Sequence, residues 1–193
     1  MEPLRSSQVL SIIKTLWAIL ILYWLLSAFG NKKAKTHPPW ARRLAFIIIF
    51  LITWSALVSD RHHLAIPLLP TTLVTQLAGI VLCAAGLAFA IWARRILGRN
   101  WSGFVVIKQD HELIRTGPYT IVRHPIYTGL ILAIAGTVLA FHVTIAGLCI
   151  VLFWLVAFYI KSRREESILT QEFGDKYTAY KKQVRAALIP FIL

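Results

Sequence analysis

Five stretches of this chain are apolar for long enough to leave water, and that restricts the fold more than any other feature. A helix crossing a bilayer needs about 20 apolar residues, because each adds ~1.5 Å across a ~30 Å core. In lipid every backbone N–H and C=O must be satisfied within the segment, so these stretches are expected to be helices. The first runs from Val9 to Phe29, with Lys14 able to carry its ammonium toward an interface. The second, Leu44 to Val58, is short but extends into Arg43 and Ser59, and the third is Leu73 to Trp92. The fourth and fifth share Thr128 to Ile160, broken at Phe141-His142; 33 residues are too many for one span and few for two. That length predicts a tight helical hairpin with tilted arms, whose backbones Gly129, Gly136 and Gly147 would let approach closely.

Composition agrees. Of 193 residues 58% are hydrophobic and 15% charged, whereas a soluble domain is closer to half apolar and a quarter charged. The expected class is a single-domain, all-α integral membrane protein. The first run is too long for the core of a signal peptide and lacks a small-x-small cleavage site. Cys83 and Cys149 both lie in apolar runs and read as buried small hydrophobes, not a disulfide framework.

The net charge of +13 would suggest nucleic acid in a soluble chain. Once the spans are removed, no basic, aromatic-interleaved surface is left, so nucleic acid is not an expected partner. Basic loops facing anionic headgroups explain the charge. Segments Asn31–Arg43, Ala93–Tyr127 and the tail after Ile160 are rich in Lys and Arg, whereas Ser59–Thr72 holds only Arg61. The positive-inside rule then puts the three rich segments in the cytoplasm and the N-terminus outside, giving five spans. Within the first of the two larger cytoplasmic segments, Gly103–Ile107 reads as a short β-type run. In the tail, Ile168, Leu169, Phe173, Tyr177 and Tyr180 recur at helical spacing over Ser162–Ala187, as one amphipathic helix or two broken at Gly174. The closing residues from Ala187 are apolar enough to dip into the interface or pack on a helix.

Polar chemistry concentrates in Gly117–Gly129, which reads G-P-Y-T-I-V-R-H-P-I-Y-T-G. Pro125 suits the first turn of the fourth helix, where its missing N–H costs nothing. His124 then sits near free backbone N–H groups, so an anionic ligand group would be favoured beside His124, Pro125 and Tyr127. A helix start with an interfacial tyrosine and a snorkelling Arg123 explains the same residues. Just upstream lie His111 and Glu112, and with Tyr119 and Tyr127 they are enough polar groups for a cofactor pocket. Metal is not expected: His62 and His63 are adjacent, and His111 and His124 lack a third partner at ligand spacing. Glu165 and Glu166 follow Lys161 just past the fifth apolar run. Lys161 and Glu165 are either an i,i+4 pair or, functionally, a carboxylate facing a cationic or amine-bearing cofactor. There is no G-x-S-x-G elbow and no glycine-rich phosphate loop.

The block H-E-L-I-R-T-G-P-Y-T-I-V-R-H-P-I-Y-T-G, followed about 35 residues later by E-E-S-I-L-T-Q-E-F-G-D-K-Y-T-A-Y-K-K, resembles the isoprenylcysteine carboxyl methyltransferase family. The wider group includes phospholipid N-methyltransferases, and the resemblance covers roughly Asn100 to Ile192. It implies a membrane enzyme that uses S-adenosylmethionine in a cytosolic pocket closed by the C-terminal helical segment. Residues 1–92 would supply three spans and 93–193 the cofactor-binding catalytic half. By motif match His111, Leu113, Ile114, Tyr119, His124, Pro125 and Tyr127 would line the pocket, with Glu165 as the cofactor-binding carboxylate. The family places an Arg four residues before that Glu, where this chain has Lys161; Arg163 or Arg164 is a possible substitute. Lys161, Arg164 and Arg123 are therefore the expected catalytic-side residues. The implied acceptor is a lipidic, isoprenylcysteine-like carboxylate on a lipophilic or lipidated substrate; an amine or thiol acceptor is the variant reading. The membrane would be the cell membrane in a prokaryote and the endoplasmic reticulum in a eukaryote. An NADPH-dependent sterol-type reductase shares the R-H-P-x-Y-like motif but carries an Arg-Asp-rich tail signature, with a Cys before K-Y-G. This chain has Glu165-Glu166 and Phe173-Gly174 instead. A non-enzymatic scaffold holding anionic lipid is the third reading.

Overall fold

A computed structural model describes residues 2–28, 40–58, 68–98, 101 and 113–189. Those residues form six α-helices and one 3-10 turn, with no strand among them. They are α1 (Ser6–Ala28), α2 (Trp40–Val58), α3 (Leu73–Leu97), the 3-10 turn Gly117–Thr120, α4 (Pro125–Phe141), α5 (Ile145–Phe173) and α6 (Asp175–Gln183). The regular structure among the described residues is all helical, as the apolar runs predict. Segments Ser6–Ser27, Leu73–Leu97 and Ile145–Phe173 are long and apolar enough to cross a membrane, and shorter apolar helices cover Ile47–Ala56 and Pro125–Phe141. The β-type run Gly103–Ile107 and the His62-His63 pair lie outside the described residues.

Local chemistry sets the helix ends. Thr72 and Thr75 form a reciprocal capping box at the start of α3, each accepting from the other's backbone N–H. Thr144 caps α5 by accepting from the Gly147 N–H at 3.1 Å. Gly174 separates α5 from α6 at φ 53, a left-handed conformation that a residue with a Cβ adopts only under strain. The expected break at Gly174 is present. The boundary at Ile160 is not: α5 continues unbroken from apolar Ile145 through Lys161 and the Glu pair to Phe173. No Gly or Pro lies between Ile160 and Phe173, and Arg163 pairs with Glu166 one turn on at 3.5 Å, so nothing stops the helix at the edge of its apolar part.

The closest backbone packing joins α3 to α4. Gly79 and Gly86 on α3 face Gly136, Ala140, Gly129 and Ala133 on α4, so closely that any added Cβ would collide with backbone atoms. A Cβ at Gly86 would meet the Ala133 N at 2.6 Å, and one at Gly129 the Gly86 O at 2.5 Å. Gly129 and Gly136 were expected to close the α4–α5 hairpin. They close the α3–α4 seam instead, and Gly147 is the member that faces the hairpin partner, against Val138. Lipid tails are as apolar as Leu, so in a bilayer such close approach replaces the hydrophobic effect as the force that joins helices. Cys83 and Thr137 lie buried at this seam, where the Thr137 hydroxyl accepts from Trp17 Nε1 at 3.1 Å and donates to the Ala133 carbonyl at 2.8 Å. Cys149, expected to be buried, is exposed on α5 beside exposed Leu148 and Leu152. Such outward apolar residues belong on a lipid-facing surface.

Contacts at the helix ends fix direction. Gln76, in the first turn of α3, holds the Leu4 backbone by both its amide groups, at 2.6 and 3.1 Å. At the far end the Arg94 guanidinium donates to the Ser27 carbonyl of α1 at 2.8 Å and to Gly98 at 2.6 Å. So α1 and α3 run parallel, and α4 runs against them. The C-termini of α1 and α3 therefore meet the N-terminus of α4 and the polar extension of α5 at one end of the bundle.

Enlarging Gly136 tests the seam. Gly136→Leu must push the α3 backbone away, at a cost of at least ~1–3 kcal/mol. We expect a lower thermal unfolding midpoint in detergent, with Gly147→Leu, which meets only a side chain, clearly milder.

Candidate functional site

The site is built where α4 begins. Pro125 occupies the first position of α4 and His124 its N-cap, as the sequence predicts. The backbone just before this helix start is tied to the chain after α6. The N–H groups of Arg123 and His124 donate to the carbonyls of Ala186 and Ala187, each at 3.0 Å. Arg123 Nη1 donates to the carbonyl of Val184 at 2.6 Å and to that of Arg185, and Thr128 Oγ1 donates to that of Leu188. Five consecutive carbonyls of the segment after α6 are thus bound to three residues around the start of α4. The described start of the apolar tail packs on the bundle, with Ala187 and Leu188 in the core and its carbonyls bound to the start of α4, and this part is an irregular strap, not a helical segment.

The side chains form two layers. In the outer layer Glu165, one-third exposed, accepts from the Tyr127 hydroxyl at 2.8 Å and lies 3.6 Å from His124 Nδ1. Lys161, one helical turn before Glu165, places Nζ 5.1 Å from the centre of the Tyr127 ring. The rings of His124 and Tyr127 stack with centres 5.6 Å apart and planes within 7°, and Phe158 continues the stack at 5.1 Å. In the inner layer Glu166 is 2% exposed. It accepts from Arg123 Nε at 2.7 Å and lies 3.2 Å from Lys181 Nζ and 3.5 Å from His124 Nε2.

The other expected site residues have different surroundings. Tyr119 is buried in the 3-10 turn, and Tyr180 of α6 donates to its carbonyl at 2.7 Å. Leu113 packs against the buried cluster of Tyr177, Tyr180 and Val184, and Ile114 is half-buried beside it in sequence. Arg164 is exposed. His111 lies outside the described residues. Arg123 was expected on the catalytic side, but its guanidinium faces Glu166 and the strap. Sequence reasoning singled out Glu165 and passed over Glu166. The signal was present in the adjacent pair: successive helical residues point about 100° apart, so only one could share the face of Lys161. Among the described residues no three His, Cys, Asp or Glu side chains are grouped as a metal would require.

Burial works against a charged His124, yet the facing Glu165 and Glu166 carboxylates outweigh it and raise the ring's pKa. Burial pushes the Tyr119 hydroxyl far above its ordinary range, so it remains a neutral hydrogen-bonding group. A raised folded-state value means the charged histidine stabilises the fold fully below its unfolded pKa of about 6.5. That contribution is lost as pH climbs through the folded value. The thermal midpoint should therefore fall with rising pH above about 6.5, and fall less steeply in His124→Asn.

Comparison with known proteins gives one consistent result. Residues 78–171, from the second turn of α3 to near the end of α5, match the model of the isoprenylcysteine carboxyl methyltransferase family. A probable protein-S-isoprenylcysteine O-methyltransferase from Oryza sativa subsp. indica is 31% identical over 176 residues, covering 88% of each chain. The Schizosaccharomyces pombe protein-S-isoprenylcysteine O-methyltransferase is 37% identical over 100 residues, 49% of this chain and 41% of the relative. The Tribolium castaneum enzyme likewise matches over 41% of its own length. A solved eukaryotic intramembrane Ras methyltransferase of the family superposes with a TM-score of 0.58 at 26% identity, covering 81% of this chain and 54% of the other. With the rice relative matched nearly end to end, and the family's model spanning the helices that carry His124, Tyr127 and Glu165, the chain belongs to the isoprenylcysteine carboxyl methyltransferase family.

Proposed function

We propose that this protein is a membrane methyltransferase that uses S-adenosylmethionine to esterify the carboxylate of a lipophilic, isoprenylcysteine-like acceptor. The observation that carries the reading is the outer layer: a partly exposed Glu165, the faces of His124 and Tyr127, and Lys161, together at the end of apolar helices. That donor set suits a cationic cofactor. Glu165 would accept from its ammonium. Tyr119, Leu113 and Ile114 would border the same pocket, with His111 completing it from outside the described residues. When bound, S-adenosylmethionine supplies an activated methyl group on a sulfonium.

The rest is positioning. A carboxylate is already a nucleophile at neutral pH, so no residue need remove a proton, and the absence of an acid–base dyad from the sequence fits the reaction. The side chains need to hold two groups about 3–3.5 Å apart, aligned and away from water. Lys161 is the proposed partner of the acceptor carboxylate, acting as a point charge and not as a bidentate fork. Arg164 is the second basic group on this side, and Arg123 acts by positioning, through its bonds to Glu166 and the strap. We propose five membrane spans, with the α4 start, the α5 extension and α6 on the cytosolic side. The acceptor's tail would lie among the spans and bring its head to that mouth.

Two measurements test this. Titration of the detergent-purified protein with S-adenosylhomocysteine should show saturable binding, weakened at least about tenfold in Glu165→Ala and His124→Ala, as loss of a charge-assisted contact implies. Binding of NADPH alone would overturn the reading. With an amine-blocked S-farnesylcysteine as probe, Lys161→Ala should raise KM about tenfold while Lys161→Arg retains activity.

A further inference from the structure

Glu166 makes more ionic contacts than any other described residue and does so almost without solvent. Its Oε1 faces Arg123 Nε at 2.7 Å and His124 Nε2 at 3.5 Å; its Oε2 faces Lys181 at 3.2 Å and Arg163 at 3.5 Å. These cations come from the segment before α4, from α5 and from α6. Arg163 is largely exposed and Lys181 about one-third exposed, so the close, buried partner is Arg123. That guanidinium also binds two strap carbonyls. One path therefore runs from Glu166 through Arg123 to the strap. A second runs from Glu166 across the His124 ring to Glu165 and Tyr127.

We propose that Glu166 is a positioning residue that locks the 184–188 strap onto the start of α4 and sets the His124 ring, so that closing the site and orienting its histidine are one event. The inference rests on the proposed cofactor site. His124 sits between two carboxylates at 3.6 and 3.5 Å, longer than the ~2.7–2.9 Å of a formed charge-assisted hydrogen bond. Its Nε2 is buried and makes no hydrogen bond among the described residues, and the same is true of the Tyr177 hydroxyl. Site hydrogen bonds are often long before the ligand arrives and tighten with it. Glu165 already serves Tyr127 and His124. A cationic ligand group that occupies Glu165 leaves His124 to Glu166, which tightens the carboxylate that also holds Arg123 and the strap.

Trypsin reads the strap directly, because the Arg185–Ala186 bond lies between carbonyls that Arg123 binds. In Glu166→Gln, cleavage after Arg185 in the unliganded protein should accelerate about tenfold and S-adenosylhomocysteine affinity should fall about tenfold, the worth of a charge-assisted hydrogen bond. Glu165→Gln should lose affinity but leave unliganded cleavage at the wild-type rate. A merely structural carboxylate would not produce that split. If Glu166→Gln fails to fold, Arg123→Lys, which keeps the charge but loses the fork, should release the strap in the same way. A folded Glu166→Gln with wild-type cleavage and affinity overturns the inference, as does equal strap release in Glu165→Gln. Failure of the wild-type protein to bind S-adenosylhomocysteine would instead remove the methyltransferase reading, and the cleavage rates would still judge Glu166.

Discussion

The Arg123–Glu166 ion pair is the contact on which the site end of the molecule depends. Both side chains are buried, at 7% and 3% exposure, and taking two charges out of water costs several kcal/mol per ion unless their hydrogen bonds are otherwise satisfied. Here Arg123 donates to Glu166 and to two strap carbonyls, and Glu166 gathers further cations at its other oxygen. The pair joins three parts of the chain far apart in sequence: the approach to α4, the extension of α5 and the strap after α6. Without Glu166 the Arg123 guanidinium would be a buried charge with no carboxylate partner, so this pair couples the three segments.

That arrangement is possible because the helices beneath it do not slide. Gly79 and Gly86 on α3 lie against Gly129 and Gly136 on α4 with no room for a side chain, which fixes the depth of the α4 start against the end of α3. Arg94 then ties the end of α3 to the end of α1. The 3-10 turn carrying Tyr119 is held from the other side by Tyr180. The seam sets the height of the site, and the polar layer above it sets the angles of its side chains.

Much of this was legible in the chain. The apolar runs located the helices, Pro125 marked the start of α4, and Gly174 marked the break before α6, because each rests on a local rule. The reach of α5 past Ile160 was harder to read, since hydropathy reports where lipid ends and not where a helix does. The partner of Gly129 and Gly136 was also hidden. Small residues announce a close approach without naming the helix that makes it, and proximity in sequence suggested α5 where geometry chose α3. The strap was invisible because it binds through carbonyls, which every residue has. Around the site, sequence gave Glu165, His124 and Tyr127 their places on one end of one bundle, but Arg123 looked like a free cation until its buried partners appeared.

The adjacent glutamates show why residue type alone could not separate the roles. Glu165 and Glu166 share a helix, a charge and almost the same distance to His124. A turn of about 100° between them puts one beside the Tyr127 face, one-third exposed, and the other beneath Arg123, almost closed to solvent. A carboxylate that must exchange partners with a ligand needs solvent access to do so without a large desolvation penalty. A carboxylate that must hold a strap needs the opposite, because its attraction for Arg123 strengthens as water leaves. Burial, not chemistry, divides the two proposed tasks, and His124 lies between the two carboxylates.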